Sequence, residues 1–247
     1  MAPDETINAG GGGFATTHWS MVALAAKSCN AGAEDALERL AGRYWYPLYV
    51  YLRRKGVDAH QAEDLVQDFF ARRIVTRQIF NGVDASEGRF RSWLLSSLQN
   101  FERNEWDKRN ALKRGGGKTH VPIQTSECEE RYGAEPSHDF TPEKVFERTW
   151  AITLLEQAIA NLREEYVDKG IEDEFDEFRQ FLPGANSPSP YSEVAQRLGK
   201  TEAAVKMAVS RFRKEFGVTL REEIRCTVSC SEELDSELRH LISIIGG

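Results

Sequence analysis

Residues 191–216 read YSEVAQRLGKTEAAVKMAVSRFRKEF and divide at Gly199 into two amphipathic stretches. Val194, Ala195 and Leu198 form the apolar face of the first; Val205, Ala208, Val209 and Phe212 form that of the second, at steps of three and four. Gly199 falls where a tight turn needs a left-handed backbone, and Thr201 suits the N-cap of the second helix. The small side chains of Ala195 and Ala204 let the two helices cross closely. The spacing predicts a helix-turn-helix. Lys200 and Thr201 precede an outward face of Glu202, Ala203, Lys206, Met207, Ser210, Arg211, Arg213 and Lys214. In such motifs the start of the second helix meets base edges, while flanking cations hold phosphates. The bland alternative is a helical hairpin with a solvated outer face. No Arg or Asn stands at the very start of the second helix to name the base read.

The formal net charge of −7 argues weakly against a polyanionic partner, but its distribution matters more. Residues 200–214 hold five Lys/Arg against one acid, a net of +4, and residues 89–118 hold eight against three, a net of +5. Between them, residues 119–199 hold 17 Asp/Glu and seven Lys/Arg, a net of −10. Within the first basic stretch, Phe90, Trp93, Phe101 and Trp106 sit among the cations. Cations that track phosphates and aromatics that stack on exposed bases are the signature of a single-strand surface. Phe90 and Trp93 are more often core than stacking platform; Trp106, in a polar run, is the better stacking candidate.

Helical periodicity extends along the chain. A short helix is expected over 18–27, and a longer one over 33–55, with a kink or break near Tyr46 because Pro47 lacks an N–H. Over 60–75, Ala62, Leu65, Val66, Phe69, Phe70 and Ile74 share one face; Glu63, Asp64, Gln67, Asp68 and Arg72 share the other. A loop with Asn81 and Gly82 leads into the 88–118 helix, which the 115–117 glycine tract ends. Residues 118–141, acidic and aperiodic with Pro122 and Pro136, read as a flexible linker. Thr141 and Pro142 open another helix with a buried stripe of Phe146, Trp150, Leu154, Leu155, Ala158 and Leu162. A charged helix over 172–181 stops at Leu182, Pro183 and Gly184. The one strand-like run, 119–123, is short. The expected fold is therefore all-α, with two helical domains joined by a flexible acidic linker. The expected boundaries are a disordered tail 1–16, a first domain 17–117, the linker 118–141, a helix-turn-helix domain 142–216 and a helical extension 217–247.

No stretch approaches the ~18 apolar residues of a membrane span, and the acidic, glycine-rich start is no secretory signal. Four cysteines are too sparse for a disulfide scaffold, which favours a reducing cytosol. Catalysis needs a constellation of groups. Asp64 and Asp68 lie one turn apart without a third ligand nearby, the five histidines are scattered, and glycines 10–13 lack the context of a phosphate loop. Cys226, Cys230 and His240 want a fourth zinc ligand. No enzyme, metal site or cofactor is expected.

The order of these features resembles a bacterial RNA polymerase sigma factor of the extracytoplasmic-function subfamily of the sigma-70 family, over about residues 17–245. AEDLVQDFF, 62–70, resembles the helix that grips the polymerase clamp; GRFRSWLLSSLQN, 88–100, resembles the promoter-melting segment; and 142–216 resembles the domain that reads the −35 element. YWYPLY and KRGGG resemble one subgroup, whose tail continues past the helix-turn-helix as here in 220–245. The resemblance implies core polymerase contacts through Asp64, Gln67 and Asp68. It implies −10 contacts through Arg89, Arg91, Asn100, Arg103, Asn104, Trp106, Lys108 and Arg109, with Asn100 at an unstacked base. It implies −35 contacts through Lys200, Thr201, Glu202, Lys206, Ser210, Arg211, Arg213 and Lys214. Core RNA polymerase and promoter DNA are the implied partners, with an anti-sigma factor or other regulator as a further one.

Two rival readings stay open: a stand-alone helix-turn-helix regulator that never touches polymerase, and a helical adaptor. Two unlike DNA surfaces on one chain favour a monomer spanning two elements over a dimer on a palindrome. The tail, with Leu234, Leu238, Leu241, Ile242 and Ile245 apolar, is long enough to dock. It is expected to fold back on the DNA-binding halves or to bind a regulator.

Overall fold

A computed structural model describes residues 31–76, 89–112, 125–134, 140–183, 188–225, 228 and 231–246. The expected tail 1–16, the helix 18–27, the turn at Asn81, the glycine tract 115–117, the run 119–123, Cys226 and Cys230 lie outside these residues. The described chain is all-helical. Its elements are α1 (Ala31–Arg54), α2 (Ala59–Phe69), a π-helical turn (Phe70–Val75), α3 (Phe90–Leu112), α4 (Thr125–Ala134), α5 (Pro142–Asp168), α6 (Glu172–Phe178) with a 3-10 turn (Arg179–Phe181), α7 (Tyr191–Arg197), α8 (Glu202–Arg225) and α9 (Ser231–Gly246).

Pro47 does not break α1, which runs as one helix with Glu34 in its first turn and Arg53 and Arg54 in its last. The missing N–H costs one i→i−4 bond. Burial of Tyr44, Leu48, Tyr49, Tyr51 and Leu52 on both sides of the proline holds the helix in one piece. α2 starts at an N-cap that the sequence reading passed over: the Asp58 carboxylate accepts from Gln61 N at 3.0 Å. The following π turn resets the helical phase, so that Phe69, Phe70 and Ile74 all face the core.

α5 carries the architecture. Thr141 caps it, accepting from Lys144 N at 3.4 Å, and Pro142 occupies its first turn. Of the expected stripe it buries Phe146, Trp150, Leu154, Ala158 and Leu162 and leaves Leu155 half-buried; it also buries Val145, Thr149, Ala151, Thr153 and Tyr166, because α1 lies along one side and α8 along another. α9 rests on both α5 and α8. The apolar residues of α1–α3 and of α5–α9 thus belong to one continuous buried cluster.

The acidic stretch expected to be a flexible linker contains a helix, α4, docked on the C-terminal end of α1. Tyr49 donates its hydroxyl to Glu129 at 2.6 Å, and Arg53 pairs with the same carboxylate at 2.7 Å. The Tyr132 ring lies 5.0 Å from the Arg53 guanidinium and 5.7 Å from that of Arg54; Arg131 lies 4.1 Å over the Tyr46 ring. Acid and aromatic side chains meet the cations at the negative pole of α1, so the docking leaves no apolar period to read.

Candidate nucleic-acid interface

The turn between α7 and α8 is built by backbone bonding. Leu198 ends α7, and Gly199 at φ +62° lets Lys200 N reach Ala195 O at 2.9 Å and Gly199 N reach Gln196 O at 3.3 Å. This is the Schellman pattern, which satisfies carbonyls that a helix end leaves open. Thr201 then accepts from Ala204 N at 3.2 Å and starts α8. Val205, Val209 and Phe212 are buried, with Phe212 packed edge-on against Tyr166, Phe175 and Phe178 at 5.6–5.9 Å between ring centres. α8 continues nine residues past Phe216, the expected end of its domain, because Thr219, Leu220 and Ile224 prolong the buried row.

That anchoring turns the opposite face of α8 outward. Thr201, Glu202, Ala203, Lys206, Met207, Ser210, Arg211, Arg213 and Lys214 are all exposed, Met207 by 70%. Tyr191, Lys206, Ser210, Arg213 and Lys214 line a shallow cleft of about 400 Å³. Several of the cations already have partners. Lys206 pairs with Glu202 at 2.6 Å, a bond that raises the ammonium pKa, and Lys200 pairs with Glu174 at 2.6 Å. Arg213 donates Nε to Phe181 O at 2.9 Å. Solvent-exposed ion pairs of this kind are weak, so a phosphate can exchange for the carboxylate.

Helix α3 divides the expected −10 residues into two sets. Asn100, Arg103, Asn104 and Trp106 lie on an exposed ridge, Trp106 with 66% of its surface free. Beside them, Tyr51, Lys55, Gln99, Glu102, Arg103 and Trp106 line an open cleft of about 290 Å³. Gln99 donates to the Tyr51 hydroxyl at 2.8 Å, and Lys55 pairs with Glu102 at 2.5 Å. Lys108 and Arg109 continue the helix, but their side chains lie outside the described residues.

The second set faces inward. Arg91 is 2% exposed, ion-paired with Glu237 of α9 and 3.7 Å from Glu147 of α5; its guanidinium lies 4.5 Å over the Trp150 ring. Arg89, half-buried, reaches the other Glu237 oxygen at 3.0 Å. Arg91 is therefore not presented to a ligand in this arrangement. Burial, then Arg89, pushes its pKa down to about 10. Phe90 is buried against Tyr44 and Trp93, and Phe101 against Phe69, so these aromatics belong to the core.

On α2, Gln67 is exposed and Asp64 and Asp68 are half-buried, all turned away from Leu65, Val66 and Phe69. Arg72 bridges Asp68 at 2.7 Å and Glu105 of α3 at 3.3 Å. Glu63, expected on this polar face, is instead buried.

Sequence reasoning passed over Glu237 and Glu147. Glu237 stands three residues after Leu234 and four before Leu241, inside the apolar row of α9, where a carboxylate is out of place unless a cation meets it. Arg43 is a parallel case: buried on α1, it pairs with Glu223 of α8 and donates to Gln157 of α5 at 3.2 Å. Among the described residues no group of three or more His, Cys, Asp or Glu is placed to hold a metal, and no helix is long and apolar enough to cross a membrane. No family model, curated protein or solved structure matches this chain.

Proposed function

We propose that this chain is an RNA polymerase sigma factor of the extracytoplasmic-function kind, acting in the cytosol on core polymerase and promoter DNA and catalysing no reaction itself. The observation that carries the reading is the outer face of α8. A Schellman turn and a threonine cap set a long, well-anchored helix whose first four turns keep Lys206, Ser210, Arg211, Arg213 and Lys214 in solvent. Such a helix fits a major groove, with its positive N-terminal pole and flanking cations toward phosphates and Glu202, Lys206 and Ser210 toward base edges. The proposed role of this face is to read the −35 element.

The α3 ridge supports the second half of the reading. Asn100 offers a donor and an acceptor to one base edge, Trp106 offers a free ring for stacking, and Arg103 offers a cation for the strand between them. Unstacking a base costs a few kcal/mol, which an aromatic and basic cleft offsets. The proposed organisation places residues 17–117 on polymerase and the −10 element, and residues 142–216 on the −35 element. Asp64, Gln67 and Asp68 are the polymerase contacts.

The test is capture of purified core RNA polymerase by the chain, compared with the triple variant Asp64→Ala/Gln67→Ala/Asp68→Ala. Retention by the native chain and loss of at least tenfold in the variant is the expected result. Duplex binding without any polymerase capture overturns it in favour of a stand-alone regulator.

A further inference from the structure

We propose that helix α9 is an intramolecular strap whose Glu237 occupies the place of DNA phosphate on Arg89 and Arg91, holding the chain in a masked state. The inference rests on the reading of α3 as a DNA surface. One carboxylate neutralises two cations: one oxygen faces Arg91 Nη1 and the other lies 3.0 Å from Arg89 Nε. Both Glu237 and Arg91 are 2% exposed, so α9 does more than sit near the cations. It seals Arg91 from water and from any ligand, while the paired Arg89 side chain stays 37% exposed.

The rest of the α9 contact is thin. Leu234 and Leu241 are buried, Leu238, Ile244 and Ile245 only half-covered, and Ile242 is 59% exposed. An apolar grip of that size leaves the charge pairing as the element that decides whether the helix is docked. A carboxylate and a phosphodiester offer the same acceptor geometry to a guanidinium, so they compete for one site. Charge bookkeeping points the same way. Arg89 and Arg91 against Glu147 and Glu237 sum to zero, and lifting α9 away leaves the start of α3 with a net positive charge.

The experiment uses the full chain and a fluorescently labelled 20-nucleotide single strand of mixed sequence, titrated by anisotropy at several salt concentrations. Glu237→Gln is expected to tighten binding about tenfold. It is also expected to steepen the dependence of log K on log salt by about 1.4, the value for two further phosphate contacts on a single strand. The double variant Glu237→Gln/Arg91→Gln loses a large part of that gain. Amide exchange over 231–246 rises in Glu237→Gln while the α5 core stays protected. Unchanged affinity and slope in Glu237→Gln, whether or not α9 exchange rises, overturns the strap. If Glu237→Gln unfolds the chain, Glu237→Asp keeps the charge and withdraws it by one methylene; it is expected to give a smaller gain, and no gain overturns the proposal. Polymerase capture by the native chain decides the functional reading separately. A chain that captures polymerase but shows no gain has lost only the strap, and one that binds neither polymerase nor any DNA has lost both.

Discussion

The hydroxyl of Tyr49 on α1 donates to Glu129 of α4 at 2.6 Å, and this bond, with that of Arg53, holds an acidic helix on a basic helix end. The Tyr49 bond and the Arg53 pair keep the Glu129 carboxyl below its usual pKa range. A depressed carboxylate contributes stability that is present above its unfolded pKa and lost as pH falls through the folded one. Docking of α4 should therefore weaken as pH drops below the ordinary carboxyl value of 4.5. Glu129→Gln should raise amide exchange over 125–134 while lowering global stability by less than about 1 kcal/mol, since the pair is half in solvent.

The turn into α8 depends on one backbone conformation and one cap. Around Gly199 nothing lies within 4 Å of where a Cβ would stand, so Gly199→Ala meets no clash and suffers only from its φ of +62°. A loss of about 1–2 kcal/mol is expected. Thr201→Ala removes the cap of α8 and should cost about 1 kcal/mol. Urea unfolding of both variants checks the pair.

Phe212 and Met207 lie on opposite faces of α8. Phe212→Ala empties a site walled by Tyr166, Phe175 and Phe178, and should destabilise the fold by about 3–5 kcal/mol. Met207→Ala, at a largely exposed position, should change stability by no more than about 0.5 kcal/mol. Comparable losses in the same unfolding series would mean that the outer face of α8 is covered.

On the proposed DNA surfaces the two ends should separate by substrate. Arg211→Ala should weaken duplex binding and lower its salt slope by about 0.9, as one lost phosphate contact requires. Trp106→Ala should leave duplex binding intact and weaken single-strand binding by about 1–3 kcal/mol, the worth of one stacked base. Equal effects on both substrates would contradict the division.

His240 lies beside the same charge cluster. Its Nε2 lies 3.4 Å from Glu147, yet burial, then Arg91, outweighs that carboxylate and holds the imidazole below its ordinary value of 6.5. Arg89 adds to the repulsion, and Glu237 neutralises both arginines from the same helix. The unfolded chain thus binds a proton at higher pH than the folded one, so stability is full above about 6.5 and falls as pH drops toward the folded value. His240→Gln should remove that part of the acid sensitivity, read as amide exchange over 231–246 between pH 7 and pH 5.

Much of this protein was legible in the sequence because a helix advertises its own buried face. Val205, Val209 and Phe212 on α8, the Thr141 cap with Pro142, and the left-handed Gly199 each follow from spacing or backbone preference within a few residues. The continuity of α1 through Pro47 was not legible, since burial on both sides of the proline overrode the lost hydrogen bond. Nor was α4, which is held by Glu129, Arg131 and Tyr132 on α1 and not by an apolar stripe. Arg91 marks the boundary most clearly. Its sequence neighbourhood made it one cation among eight, whereas the fold buries it against Trp150, Glu147 and Glu237. Local periodicity tells a side chain which way to face, but the partner of a buried charge comes from a distant segment, and only the packing of α3, α5 and α9 decided it.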